Sequence, residues 1–200
     1  MFAWFFIAAL YLQGVLGYDA LEVGLAFLPA NLVMAALSLG VSAWLVGRFG
    51  VRLPLAGGLI LAAIGLALFA RAPVGGDFFV DVLPGLLLLG AGAGIAFNPL
   101  LLAAMSDVSP EESGLASGVV STGFMMGDAI GLAVLASVAA ARTDGLLAQG
   151  VTRVAALNGG YQAALFVGAL FTLLAAVLGG TLLRQRMNTP TTVEPSPQAS

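Results

Sequence analysis

Long apolar stretches that are almost free of charge alternate with short polar segments along this sequence, and the alternation predicts its elements. A helix needs about 20 apolar residues to cross a hydrocarbon layer about 30 Å thick. The pattern therefore predicts an all-α membrane protein in which residues 1–186 form a bundle of six transmembrane helices. The predicted spans are residues 1–16, 23–46, 53–71, 82–105, 113–141 and 160–183.

The two ends of the chain differ from the middle. The first span has only about 16 residues before Gly17, and no basic residue stands near Met1, as a secretory signal would require. We interpret this span as a helix without its start, which predicts that the chain is a fragment or that its first residue is misassigned. Residues 187–200 are rich in Thr, Pro and Ser and are expected to be a disordered cytoplasmic tail. Between the spans the connections are short, except for a predicted loop over residues 142–158.

The arginines predict an orientation in the cell membrane. The short loop with Arg48 and Arg52 carries no acid, which is typical of a cytoplasmic loop. An even number of spans then places both termini in the cytoplasm. Three arginines fall on the outer side, namely Arg71, Arg142 and Arg153.

Composition excludes most other classes of protein. Hydrophobic residues make up 60% of the chain and charged residues 8%, whereas a soluble domain carries about 25% charged residues. The chain has no cysteine and no histidine, so thiol chemistry, typical zinc sites and a Ser-His-Asp triad are excluded. A net charge of −3 argues against nucleic-acid binding. No enzyme activity, metal or cofactor is predicted.

Asp128 is the charged residue that interrupts a predicted span near its midpoint. A carboxylate at that depth costs about 2.5–3.5 kcal/mol on insertion scales, so it should face protein or a water-filled cavity. A carboxyl group that gains and loses a proton there is what proton coupling requires. Asp128 is therefore the candidate proton-coupling residue; the alternative is a protonated side chain that hydrogen-bonds a neighbouring helix.

Other polar or soft side chains in the spans predict a lining between helices. At 100° per residue, Ser117 and Ser121 fall within the same arc as Asp128. Amides in other spans could either line a cavity or join helices by hydrogen bonds. The candidate cavity-lining residues are Gln13, Asn31, Ser38, Asn98, Ser117, Ser121 and Met125.

Glycines recur four residues apart in two predicted spans. Small residues at this spacing let helix backbones approach closely in lipid. The pattern predicts helix packing faces, which could be static or could slide during transport. The residues are Gly90 and Gly94 in the fourth span, and Gly123, Gly127 and Gly131 in the fifth.

Three motifs occur in order along the chain. The first is the segment 11–18, Tyr-Leu-Gln-Gly-Val-Leu-Gly-Tyr; the second is the loop Arg48-Phe49-Gly50-Val51-Arg52. The third, Ser109-Pro110-Glu111-Glu112, precedes the small residues of 114–118 and also predicts a capping box. With these motifs the chain resembles the C-terminal six-helix half of a major facilitator superfamily transporter, most similar to the fourteen-helix drug:proton antiporters of multidrug efflux.

That resemblance implies a secondary active transporter that exchanges protons for small lipophilic or cationic compounds by alternating access. It implies the lipid bilayer, a small organic substrate and protons as partners, together with an N-terminal half or a second copy of the chain. Departures from the family pattern occur at Gly47, where an acid is usual, at Phe124-Met125, where an Arg-Gln pair is frequent, and at Asp128, where a glycine is frequent. The alternative is a truncated membrane module that transports nothing and is inert or modulates other membrane proteins.

Overall fold

The architecture is a bundle of long apolar helices, seen in a computed structural model that describes residues 2–106 and 108–186. Within those residues the chain forms six main helices and no strand. The predicted tail at 187–200 lies outside them. The helices are α1 (Phe2–Gly14), α2 (Ala20–Phe49), α3 (Arg52–Phe69), α4 (Phe78–Met105), α5 (Ser113–Ala148) and α6 (Arg153–Arg186).

Five of these helices are long and apolar enough to cross a membrane, from 18 residues in α3 to 36 in α5. Helix α1 is apolar but has 13 residues. The predicted loop over 142–158 is wrong, because α5 continues to Ala148 and α6 begins at Arg153. The absence of charge predicts only the part of a helix that suits the hydrocarbon layer. The helix itself can continue beyond that layer, and Arg142 and Asp144 are exposed on the last turns of α5.

The helix starts also differ from expectation. Ser109 does not cap the turn that follows it; its hydroxyl donates a hydrogen bond to Glu112 Oε2 at 3.2 Å, so the predicted capping box is not formed. A complete capping box instead begins α2. The Asp19 carboxylate accepts from the Glu22 N–H at 2.8 Å, and the Asp19 N–H donates to Glu22 Oε2 at 2.9 Å.

Glycines bring α3 and α4 into backbone contact. A Cβ atom placed on Gly58 would lie 2.7 Å from the Gly92 carbonyl oxygen, and one on Gly65 would lie 2.7 Å from the Leu89 nitrogen. Gly58 and Gly65 are seven residues apart, as are Gly85 and Gly92 on the facing helix. These four glycines lie in the most extensive helix–helix contact of the described residues, and the four-residue pattern sought in the sequence did not detect them.

Helix α4 also packs against α2. Gly90 abuts the Ala30 backbone, and a Cβ on Gly94 would lie 2.5 Å from the Met34 carbonyl oxygen. The glycines of α5 behave differently: no atom outside the helix lies within 4 Å of a Cβ placed on Gly123 or Gly127, and Gly131 meets only the Ala3 methyl, at 4.0 Å. Within the described chain, no other helix therefore covers Gly123 or Gly127, and the packing face on α5 stays a prediction.

The position of α5 explains that difference. Its buried residues, Leu135, Ala139 and Thr143, all lie in its second half, which packs against α6. The first half of α5 leaves most of its surface exposed. Regular spacing in the sequence shows that a helix has a small-residue face, but it does not show which body covers that face.

Helix α1 fills the space between α2, α5 and α6. Its side chains at Ile7, Tyr11 and Leu12 are completely or almost completely buried. The Tyr11 hydroxyl donates a hydrogen bond to the Pro73 carbonyl at 3.0 Å, and the Gln162 amide donates to the Ala72 carbonyl at 2.9 Å. These two bonds fix the turn between α3 and α4 to both α1 and α6.

Candidate functional site

Two of the predicted lining residues meet where α2 crosses α4. The Asn98 Nδ2 atom donates a hydrogen bond to the Ser38 carbonyl oxygen at 2.7 Å. Residues Leu37–Val41 of α2 form a π-helical turn, in which the Ser42 N–H bonds Leu37 O, five residues earlier. The turn therefore diverts this N–H from Ser38 O, its usual acceptor in an α-helix, and Asn98 bonds that oxygen.

A second bond strengthens the same crossing. The Ser42 side chain is fully buried, and its hydroxyl donates to the Ile95 carbonyl at 3.0 Å. A polar side chain that hydrogen-bonds a neighbouring membrane helix adds about 0.6 kcal/mol to the stability of the helix pair on average, and about 2 kcal/mol at most. The two bonds join α2 to α4, so Ser38 and Asn98 act at this crossing as interhelical contacts.

Asp128 lies on the stripe of α5 that faces the bundle, and its side chain is partly buried. One turn earlier, Phe124 stacks against Phe97 of α4 with ring centroids 6.4 Å apart. Three residues later, Gly131 approaches Ala3 of α1. The carboxyl group is thus attached to α5 between its contact with α4 and its contact with α1.

The remaining lining candidates do not converge on one another. Their side chains are exposed on the surface of the bundle, Met125 to 74%. Ser117 and Ser121 share an arc with Asp128, but they belong to the exposed first half of α5. Within the described chain these residues face no neighbouring helix, because a helical arc does not record how far a helix leans away from its neighbours; their place in a cavity lining stays a prediction. The exposed candidates are Gln13, Asn31, Ser117, Ser121 and Met125.

Large apolar side chains surround these exposed polar residues. A groove of about 550 Å³ follows α5 from Gly114 to Met126, and Leu115 beside it is 74% exposed. Helix α2 exposes apolar residues along its length, including Leu21, Leu32 and Leu39. Apolar surface on such long apolar helices suits lipid or another protein.

The loop motif forms the turn between α2 and α3. Gly50 has φ of +73° and closes α2, with its N–H bonded to the Val46 carbonyl at 2.9 Å. A left-handed conformation at this position favours glycine. The Arg48 guanidinium lies 5.8 Å from the Trp44 ring, and Arg52 begins α3. The motif therefore has a geometric role in a tight turn.

Sequence reasoning missed a buried polar contact between α5 and α6. Thr143 and Asn158 are both more than 90% buried, and the Thr143 hydroxyl lies 3.4 Å from the Ala156 carbonyl. Gly160 sits directly against Thr143. The adjacent pair Gly159-Gly160 was the available signal, since it permits a close approach of helices. Among the described residues, no cluster of three acidic side chains could hold a metal ion.

Comparison with known proteins extends these observations. The profile of the Major Facilitator Superfamily matches residues 1–200. A puromycin resistance protein of Streptomyces alboniger is 34% identical over 192 residues, which cover 93% of this chain and 38% of that protein. A cephamycin export protein of Amycolatopsis lactamdurans is 35% identical over 188 residues, covering 94% and 37%. A multidrug resistance protein, Stp, of Mycobacterium tuberculosis is 38% identical over 131 residues, covering 66% and 24%.

The chain thus spans less than two fifths of the length of these relatives. The matches confirm the family inferred from the three motifs, and with the apolar helices they confirm an all-α, multi-pass membrane protein. They point to a transporter rather than an enzyme. The chain belongs to the Major Facilitator Superfamily.

Proposed function

We propose that this chain forms one six-helix half of a proton-coupled transporter that exports small lipophilic or cationic compounds across the cell membrane. The observation that carries the proposal is the exposed surface of α2 and of the first half of α5, two helices that both contact α4. It presents polar side chains among apolar ones, and the described chain does not cover it.

Lipid alone is a poor covering for that surface. A polar group without a hydrogen-bond partner in an apolar environment costs several kcal/mol. Asn31 and Ser117 would incur that cost if they faced acyl chains. A water-filled path against a second six-helix body would hydrate them, and the same body would cover the exposed leucines and methionines. In secondary transporters the substrate site lies between such repeats.

The relatives support the class of substrate. Their names describe resistance to puromycin, export of cephamycin and multidrug resistance, all of which concern small organic compounds. The exposed Met125 and Met126 offer flexible, polarizable surface that adapts to ligands of different shapes. Under the proposal, both termini and the Arg48 loop are cytoplasmic.

Asp128 is the proton-coupling residue of this proposal. Its position near the middle of a span places the carboxyl group at a depth where it should face protein or water rather than lipid. Rocking of one half against the other would expose Asp128 to the two sides in turn. Proton release on one side and uptake on the other would then be coupled to movement of the substrate.

The test measures proton-driven uptake of puromycin and ethidium into everted membrane vesicles that contain this chain together with the half that completes the transporter. Wild-type protein should accumulate both compounds, and a protonophore should abolish uptake. Asp128→Asn should reduce proton-driven uptake to background. The matched control is Asp144→Asn, which removes the same charge from an exposed position on α5. Unchanged rate and pH dependence in Asp128→Asn would refute the proton-site assignment; no uptake by wild-type protein would favour the non-transporting module.

The second body can be tested separately, because the chain has no native cysteine. Met125→Cys introduces one thiol on the exposed surface of α5. If the second six-helix body is another copy of this chain, a thiol crosslinker should give a dimer of the chain. If it is a different half, the crosslinked product should contain that half. A cysteine in place of Phe166, exposed on α6, provides the comparison. Equal crosslinking at both positions would contradict a specific interface on α5.

A further inference from the structure

A separate cavity of about 450 Å³ opens where α3, α5 and α6 meet. Arg71 and Arg142 both contribute to its wall, and both are exposed. The rest of the wall is largely apolar and includes Ala67, Ala163 and Phe166. The cavity therefore combines two positive charges with apolar surface, and none of the polar residues considered for transport lines it.

The two guanidinium groups have no acidic counterpart in the cavity. No aspartate or glutamate lines it, and within residues 2–106 and 108–186 neither arginine has a carboxylate within 4.0 Å. Asp81 shares a smaller neighbouring cavity with Arg71, where its Oδ2 atom accepts the Asp77 N–H at 2.8 Å, and it does not line the larger cavity. Two positive side chains in the wall of one cavity that contains no acid favour an anionic ligand. Phosphate oxygens suit arginine, whose planar donors can bind two oxygens at once.

The cavity wall is held in place by contacts from other helices. Gln162 lies in the wall, and its amide donates to the Ala72 carbonyl, the residue next to Arg71. Tyr11 bonds the following residue, Pro73. The backbone that carries Arg71 is therefore fixed from two sides, so the arginine extends from a defined position.

The depth of the cavity matches a lipid. Arg71 follows the end of α3, and Arg142 lies six residues before the end of α5, or about 9 Å along the helix at a rise of 1.5 Å per residue. Phe166 lies thirteen residues into α6, or about 20 Å from its start. The positive charges thus stand near the level of headgroups and the apolar wall continues toward hydrocarbon.

We propose that this cavity binds an anionic phospholipid, with its phosphate between Arg71 and Arg142 and an acyl chain along Ala67, Ala163 and Phe166. The proposal requires only that the chain spans a membrane. Lipid binding and proton coupling can therefore be tested independently of each other. The bound lipid would neutralise the two arginines and fill the space between α3, α5 and α6.

Native mass spectrometry of the full chain in detergent can test this by titration with phosphatidylglycerol or phosphatidylcholine of equal acyl length. Phosphatidylglycerol should bind more tightly. One arginine near an anionic lipid surface contributes about 1 kcal/mol, so Arg142→Gln should weaken phosphatidylglycerol binding about fivefold. Arg153→Gln is the matched control, because Arg153 is exposed near the same end of the bundle and does not line the cavity.

A second variant tests the apolar part without changing charge. Ala163→Leu places three more carbons in the cavity and should weaken binding of both lipids. Because this variant keeps both arginines, it tests the cavity even if Arg142→Gln fails to fold. Equal affinity for the two lipids, equal loss in Arg142→Gln and Arg153→Gln, or unchanged binding in Ala163→Leu would each overturn the proposal. Binding of inorganic phosphate alone, with no preference for phosphatidylglycerol, would also overturn it and identify a soluble anion as the ligand.

Discussion

The backbone contact between α3 and α4 predicts a large effect of one added methyl group at Gly92. A Cβ at this position would touch the Ala62 nitrogen and lie 2.5 Å from the Gly58 carbonyl oxygen and 2.9 Å from the Ala62 Cα. Carbon atoms in ordinary contact are about 3.5–4.0 Å apart, so Gly92→Ala must separate the helices by about 1 Å. Because the contacted atoms belong to the backbone, no side chain can rotate away.

The magnitude follows from two opposing contributions. Overpacking of this kind costs up to about 3 kcal/mol, and replacing glycine by alanine within a helix returns up to about 1 kcal/mol. We therefore expect a net loss of about 2 kcal/mol in the free energy of unfolding. In a chain of this length each kcal/mol corresponds to about 2–4 °C in Tm, so the Tm should fall by about 4–8 °C.

The assay is thermal unfolding of the purified chain in detergent, followed by loss of the monodisperse peak in size-exclusion chromatography. Gly127→Ala is the matched control, since a Cβ there meets open space. Gly127→Ala should gain about 1 kcal/mol from the higher helix propensity of alanine without any clash, and its Tm should rise by about 2–4 °C. Ala62→Gly should not rescue Gly92→Ala, because the clash involves the nitrogen and Cα of residue 62. A Tm for Gly92→Ala equal to or above that of Gly127→Ala would refute the reasoning.

Two further predictions concern polar contacts. Asn98→Leu removes the bond to the Ser38 carbonyl and should lower the free energy of unfolding by about 1 kcal/mol, measured in the same thermal assay; an unchanged Tm would show that the bond does not stabilise the crossing. Asp19→Ala removes the capping box of α2 and should cost about 1 kcal/mol, whereas Ser109→Ala, whose hydroxyl caps no helix, should leave the Tm unchanged. The reverse order of these two variants would contradict the assignment of the caps.

The long charge-free stretches were sufficient to predict six helices, because exclusion of charge from hydrocarbon acts on each segment separately. They could not predict where α5 ends, since its last turns continue with Arg142 and Asp144 exposed. Contacts between helices depend on tilt and depth as well as on spacing. For that reason, the spacing of Gly123 and Gly127 predicted contacts that the described chain does not make, while the seven-residue spacing of Gly58 and Gly65 passed unnoticed.

The candidate site was predictable to a smaller extent. Mid-span position alone made Asp128 a candidate, and the structure shows that its side chain is partly buried, while its role in proton coupling stays a prediction. The pairing of Asn98 with the Ser38 carbonyl depends on a π-helical turn, and a residue-by-residue helical wheel assumes that no such turn exists. The cavity at Arg71 and Arg142 combines residues far apart in sequence, so no local pattern could reveal it.

The shape of α5 has a mechanical consequence. Its contacts with α6 lie around Leu135–Thr143, whereas Ser113 lies 26 residues before Ala139, or about 39 Å along the axis at 1.5 Å per residue. The helix has fewer contacts with α1 and α4 than with α6, and a tilt of only about 5° about Ala139 would move its far end by about 3 Å over that length. Small repacking beside α6 would therefore become a large displacement at Ser113, which makes the second half of α5 the place where a substitution could alter motion at the opposite face of the membrane.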